Sequence, residues 1–197
     1  MPHKLQRAIF LDRDGTLNLD TGYAHRIEEW VWLPGVPETL ARFRADGWLL
    51  VVVSNQSGIA RGFFTEEDLR DLEAAVTKQL VPYGASIDGW YHCPHLPEIT
   101  GTCDCRKPAP GLLLRAAREH GIDMASSWVI GDRERDVQAG FSAGCHHAVL
   151  LNPGAKISES RNTEQGSLFV LQDLPTACSF IKDGNFTEFR RPHRPGH

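Results

Sequence analysis

Residues 48–53 read Trp-Leu-Leu-Val-Val-Val, an apolar, largely β-branched run with no polar residue on either alternating face. A strand of that kind is buried on both sides, which calls for a parallel sheet with helices packed above and below it. Ala8 to Leu11, Gly89 to Cys93, Trp128 to Ile130 and His147 to Leu151 read as companion strands, and Ser167 to Leu171 as a short edge strand. Helical spacing of apolar residues occupies the intervals, over Val36 to Ala45, Pro110 to His120, Asp136 to Ala143 and Leu174 to Ile181. Thr65 followed by Glu66, Glu67 and Asp68 predicts a helix N-cap with an acidic first turn, and the helix runs to about Leu80. The fold class expected is α/β, and residues 1–189 read as one domain. Residues 190–197, Arg-Arg-Pro-His-Arg-Pro-Gly-His, read as a disordered basic tail.

The first strand runs directly into Asp12-Arg13-Asp14-Gly15-Thr16. Strand alternation points Asp12 and Asp14 the same way, and two carboxylates in one small volume repel unless a cation or shared proton compensates. A hard, oxygen-seeking ion such as Mg²⁺ fits that need. One carboxylate can then attack phosphorus while the other handles a proton. Asp-x-Asp also opens calcium loops, but here the register fails: Leu17 falls where the glycine belongs and Tyr23 where the bidentate glutamate belongs. An acidic turn after a strand is the plain alternative.

Ligands in such sheets bind beyond the carboxyl ends of the strands. There the chain offers Ser54-Asn55-Gln56-Ser57-Gly58 after the second strand and Gly131-Asp132-Arg133 after the fourth, with Arg106-Lys107-Pro108 between. A hydroxyl for phosphate oxygens, a fixed cation and a further carboxylate are what phosphoryl transfer requires. Each alone has an ordinary reading as a cap, a solvated pair or a turn residue. Together on one sheet edge they form a site.

Asp12-x-Asp14-Gly15-Thr16, Ser54-Asn55, Lys107-Pro108 and Gly131-Asp132 resemble the four ordered motifs of the haloacid dehalogenase (HAD) superfamily phosphatases over about residues 8–151. The resemblance implies a Rossmann-like HAD fold with Asp12 as nucleophile and Asp14 as general acid/base. It also implies Ser54 and Lys107 as phosphate holders and Asp12, Asp14 and Asp132 as the Mg²⁺ set. The intervals between motifs are too short for a large cap domain, so the site is expected to be open.

Cys93-Pro94-His95, then Cys103-Asp104-Cys105, place three thiolates and an imidazole in one loop, a set suited to structural tetrahedral zinc. The plain alternative is idle thiols beside a surface histidine. His92 is expected to be a bystander, because neighbouring strand positions point apart. Cys-Pro-His with Cys-Asp-Cys-Arg-Lys-Pro resembles two sister groups, the heptose 1,7-bisphosphate 7-phosphatases and the histidinol-phosphatases. Asp20-Thr21-Gly22-Tyr23, Asn55 to Gly62 and Lys107-Pro108-x-Pro110-Gly111 resemble the heptose group. That implies substrate contacts from Asp20, Gly22, Tyr23, Asn55, Gln56, Ser57, Arg61, Arg106 and Arg133, with Arg61 and Arg106 meeting a second phosphate. Two features depart from the heptose pattern: the short gap between His95 and Cys103, and Arg133 in place of the commoner lysine.

With 21 Lys plus Arg against 25 acids, the chain has no basic footprint for nucleic acid. The apolar run at Ala8 to Leu11 is too short for a membrane span or a signal segment, so a cytoplasmic protein without membrane association is expected. Five cysteines, an odd number with three crowded together, favour metal binding over a disulfide framework. Cys145 and Cys178 read as packed thiols. The expected partner is a small phosphorylated metabolite, handled by a monomer. A phospho-accepting signalling domain uses similar residues but needs no general acid two positions beyond the acceptor, and a zinc module for binding partners would leave the other motifs without a purpose.

Overall fold

The computed structural model describes residues 5–155 and 159–184; the tail expected over 190–197 lies outside them. In chain order the main elements are β1 (Ala8–Leu11), α1 (Val36–Ala45), β2 (Leu49–Asn55), α2 (Glu66–Leu80), β3 (Gly89–Cys93), α3 (Pro97–Thr100), α4 (Gly111–His120), β4 (Trp128–Gly131), α5 (Glu134–Ser142), β5 (His147–Leu151), β6 (Glu159–Asn162), β7 (Ser167–Leu171) and α6 (Leu174–Lys182). The seven strands form one sheet in the order β3-β2-β1-β4-β5-β7-β6, parallel except for the β6–β7 pair.

Strand alternation divides the core into two layers. Ile9, Leu11, Leu50, Val52, Ile130, Val149 and Phe169 face one side, where Leu40 and Phe43 of α1, Leu69 and Val76 of α2 and Ala177 of α6 cover them. Phe10, Val51, Val53, Val129 and Ala148 face the other side, against Leu112, Leu113 and Ala116 of α4 and Val137 and Phe141 of α5. Each large side chain buried this way contributes roughly 1.5–3 kcal/mol, which is why the 48–53 run needs no polar face.

Helix ends follow local chemistry. Thr65 Oγ1 accepts from the Asp68 N–H at 3.1 Å while Asp68 accepts from the Thr65 N–H at 2.8 Å, a capping box that opens α2. Gly121, at φ +63°, closes α4. One expectation is corrected: Ser167–Leu171 is not the edge, because β6 pairs outside it, antiparallel. The sequence of β6, Glu-Ser-Arg-Asn, carries no apolar alternation to read. The carboxyl ends of β1, β2 and β4, adjacent in the sheet, set the platform for the site.

Candidate active site and metal-ligating cluster

Lys107 stands at the centre of the platform. Its Nζ donates to Asp12 Oδ1 at 2.6 Å and to the Val53 carbonyl at 2.6 Å, and it lies 2.7 Å from Asp136 Oδ1. Lys107, Asp12 and Asp136 are all buried. Burial works against the Lys107 ammonium, but the Asp12 and Asp136 carboxylates outweigh it and hold its pKa above the ordinary value. Burial raises the Asp12 pKa, an effect that the Lys107 ammonium opposes and Asp136 reinforces.

Asp132, just beyond β4, completes an acidic group. Carboxylate oxygens of Asp12, Asp132 and Asp136 lie within 4.8 Å of one another. Arg133 Nε reaches Asp132 Oδ2 at 2.9 Å, whereas Asp132 Oδ1 is buried with no hydrogen-bond partner. Burial, with the neighbouring Asp12, lifts the Asp132 pKa to about 6. An orphaned buried oxygen and three crowded carboxylates, two of them with raised proton affinity, fit a hard divalent cation such as Mg²⁺. Backbone fit supports the cluster. A Cβ on Gly131 would stand 2.5 Å from the Asp136 side chain, and one on Gly15 would stand 2.5 Å from Asp132 Oδ2.

The Asp14 carboxylate stands outside this side-chain cluster. The strand stops at Leu11 and Gly15 turns the chain at φ +83°, so simple alternation no longer governs where Asp14 points. Its oxygens instead accept from Arg13 Nε and Nη2, Asn18 Nδ2 at 3.0 Å and Gln56 Nε2 at 3.1 Å. Asp136 joins Asp12 and Asp132 in the cluster. In sequence Asp136 reads as part of a helix start, yet an acid four residues past Asp132 falls one helical turn from the same strand end. Arg13 and Asn18, which no sequence motif marks for a role, complete the surroundings of Asp14.

Ser54 is buried at the end of β2. Asn55 and Lys107 bond in both directions: Asn55 Nδ2 donates to the Lys107 carbonyl at 3.1 Å and accepts from the Lys107 N–H through Oδ1 at 3.0 Å. Gln56 is buried, and its N–H donates to the Cys93 carbonyl at 2.8 Å. Ser57 and Arg61 lie on the turn that follows, where the Arg61 N–H bonds the Ser57 carbonyl, and Arg61 is exposed. Asp20 accepts from the Gly22 N–H at 3.1 Å and lies 3.9 Å from Arg133 Nη2. Tyr23 meets Phe63 edge-on with ring centroids 4.8 Å apart, which brings the loop of Asp20, Gly22 and Tyr23 against the turn carrying Arg61.

Beside this platform, Cys93, His95, Cys103 and Cys105 converge. Their ligand atoms are 3.0–3.7 Å apart in five pairs, and all lie within 4.8 Å of one another. A tetrahedron of zinc–sulfur bonds about 2.3 Å long has edges of about 3.8 Å, so the four atoms are spaced to surround one small ion. Burial raises the Cys93 thiol pKa. At Cys103 burial is outweighed by hydrogen bonds from Cys105 and the Arg106 backbone, and the pKa falls to about 7. No disulfide joins the cysteines. Arg106 Nη1 donates to the His95 carbonyl at 3.1 Å, tying the cluster to the residue before Lys107. His92 turns away toward Glu66 and Glu73 of α2, 3.8 Å from each.

A HAD-hydrolase-like family model matches residues 104–177. The D-glycero-β-D-manno-heptose-1,7-bisphosphate 7-phosphatase of Pasteurella multocida is 42% identical over 182 residues, spanning 90% of this chain and 98% of that relative. The Escherichia coli K12 protein of the same name is 44% identical over 176 residues, 86% of this chain and 92% of its own. The crystal structure of D,D-heptose 1,7-bisphosphate phosphatase from B. bronchiseptica, complexed with magnesium and phosphate, superposes with a TM-score of 0.78 at 31% identity, covering 90% of this chain and 99% of that one. With relatives this similar along nearly their whole length, the chain belongs to the heptose 1,7-bisphosphate 7-phosphatase family of the HAD superfamily.

Proposed function

We propose that the protein is a Mg²⁺-dependent phosphomonoesterase that removes the 7-phosphate of D-glycero-D-manno-heptose 1,7-bisphosphate through a phosphoaspartate on Asp12. The observation that carries the chemistry is Asp12 held at 2.6 Å by buried Lys107, at the end of a strand whose next turn presents Asp14. The relatives named for this activity carry the substrate.

Lys107 fixes the Asp12 carboxylate through Oδ1 and places a cation where phosphoryl oxygens would gather, with the Ser54 hydroxyl as a further phosphate holder. An Asp12 oxygen attacks phosphorus and the bond to the sugar oxygen breaks; Asp14 gives its proton to the departing alkoxide. Asp14 then takes a proton from water as the water oxygen attacks phosphorus, and the bond to Asp12 breaks to release inorganic phosphate. Mg²⁺ would be held at Asp12, Asp14 and Asp132, with the Asp136 carboxylate beside them, and would offset charge on the phosphoryl oxygens. Arg61 and Arg106 supply positive charge for the second phosphate, and Asp20, Gly22, Tyr23, Asn55, Gln56, Ser57 and Arg133 frame the sugar. Cys93, His95, Cys103 and Cys105 would hold zinc, which would order the loop that delivers Arg106 and Lys107.

Histidinol phosphate is the alternative substrate with the same chemistry. A phospho-accepting signalling role has less support, because it leaves the four donors around the Asp14 carboxylate unexplained. Among the described residues no helix is long and apolar enough to cross a membrane, and free thiols at a metal-type cluster suit a reducing, cytoplasmic setting. We read the protein as a monomeric catalytic domain.

Replacing Asp12 with Asn tests the covalent step. Turnover is expected to vanish while the circular dichroism spectrum stays that of the parent. Residual turnover above about a thousandth would contradict a nucleophilic role.

A further inference from the structure

We infer that Arg13, the residue between the two motif aspartates, is a positioning residue that fixes the Asp14 carboxylate and ties it to the 20–24 loop. This rests on the acid/base reading of Asp14.

Arg13 is 1% exposed, among the most buried side chains of the fold. Burying a guanidinium costs several kcal/mol unless the charge is paired; here Nε and Nη2 carry the pairing, and Nη1 is buried without a hydrogen-bond partner. The pair is Asp14. Arg13 Nε donates to Oδ1 at 3.1 Å and to Oδ2 at 3.0 Å, and Nη2 donates to Oδ1 at 2.9 Å and lies 2.9 Å from Oδ2. A planar fork gripping both carboxylate oxygens sets orientation as well as charge, which a single ammonium cannot do. The same Nη2 donates to the Ala24 carbonyl at 2.9 Å. Ala24 itself is buried and follows Asp20, Gly22 and Tyr23, so one guanidinium joins the acid/base to the loop proposed to frame the sugar. Salt-bridge duty alone does not require a partner two positions from the nucleophile, nor a second bond to that loop.

Asp14 enters the reaction twice, protonating the departing alkoxide and then taking a proton from the water that attacks phosphorus. p-Nitrophenolate leaves without needing a proton, so the first use can be bypassed and the second cannot. Arg13→Lys keeps the charge and loses the fork, and Arg13→Met keeps the bulk and loses the charge. Both are compared with the parent and with Asp14→Asn, as full-length Mg²⁺-loaded protein, by stopped-flow release of p-nitrophenolate and by phosphate release from heptose 1,7-bisphosphate. The expected result for Arg13→Lys is a burst of about one equivalent of p-nitrophenolate, then a steady state slowed about tenfold or more, and a comparable loss of kcat on the sugar phosphate. Arg13→Met shows the same burst with a larger loss, and Asp14→Asn the same burst with the largest. Parent-like turnover of the sugar phosphate by Arg13→Lys overturns the inference. So does a loss without a burst, in which p-nitrophenolate release falls as far as the sugar reaction. If Asp14→Asn itself turns over the sugar phosphate at the parental rate, the acid/base reading fails and the inference fails with it, an outcome separate from the first two.

Discussion

Asn55 and Lys107, fifty-two residues apart, exchange hydrogen bonds in both directions: the Asn55 amide donates to the Lys107 carbonyl at 3.1 Å and accepts from its N–H at 3.0 Å. The end of β2 thereby holds the backbone of the residue whose ammonium grips Asp12. A motif usually read as a pair of polar residues after a strand is here a clamp between two motifs.

Asn55→Ala removes both bonds and leaves a half-buried N–H unpaired. Loss of about 1–3 kcal/mol of stability is expected from the unsatisfied group, measured by urea unfolding. Misplacing Lys107 is expected to lower kcat/KM for phosphate release by about a hundredfold, a loss larger than the stability change alone would produce in a folded enzyme. An Asn55→Ala protein with turnover within twofold of the parent would show that the clamp is not needed.

How far the site was legible before the structure depends on how local each signal is. The two-faced apolar run of β2 and the Cys-Pro-His and Cys-Asp-Cys spacing announce themselves within a few residues, because burial on both faces and metal ligation each restrict residue types at short range. Asp136 does not, since an acid in a first helical turn has a sufficient local explanation in the helix dipole. Its role appears only when α5 docks and Lys107 arrives at 2.7 Å. The direction of Asp14 was hidden for a related reason: alternation holds within a strand, and Asp14 lies beyond its end. The edge strand β6 was illegible because polar residues at a sheet margin look like loop.

Asp132 makes the metal-free protein sensitive to pH in a defined direction. Its folded pKa, about 6, lies above the ordinary aspartate value of 3.8, so between these values the folded state binds this proton more tightly than the unfolded chain. By linkage, its contribution to stability is present below about pH 4 and lost as pH rises through 6. Metal-free Asp132→Asn is therefore expected to match the parent near pH 4 and to exceed it in melting temperature at pH 7. Added Mg²⁺ is expected to reverse that order at pH 7 by raising only the parent strongly. A melting difference that does not change between pH 4 and 7 would contradict a strained acidic cluster.

Zinc bound at the Cys93, His95, Cys103 and Cys105 cluster would link stability to activity, because Arg106 bonds the His95 carbonyl and Lys107 follows directly. Chelation, verified by elemental analysis, is expected to lower the melting temperature and raise proteolytic cleavage within residues 93–107. Phosphate release should fall in step and return with added zinc. Unchanged melting after verified zinc loss would remove the structural role.

The most direct test of the account is which phosphate, on which molecule, the purified Mg²⁺-loaded protein removes. Phosphorus NMR should show heptose 1,7-bisphosphate losing the phosphate at carbon 7, with the 1-phosphate accumulating, and kcat/KM should exceed that for histidinol phosphate by about a hundredfold or more, a transition-state preference of roughly 3 kcal/mol. Preference for histidinol phosphate, or loss of the 1-phosphate first, would contradict it.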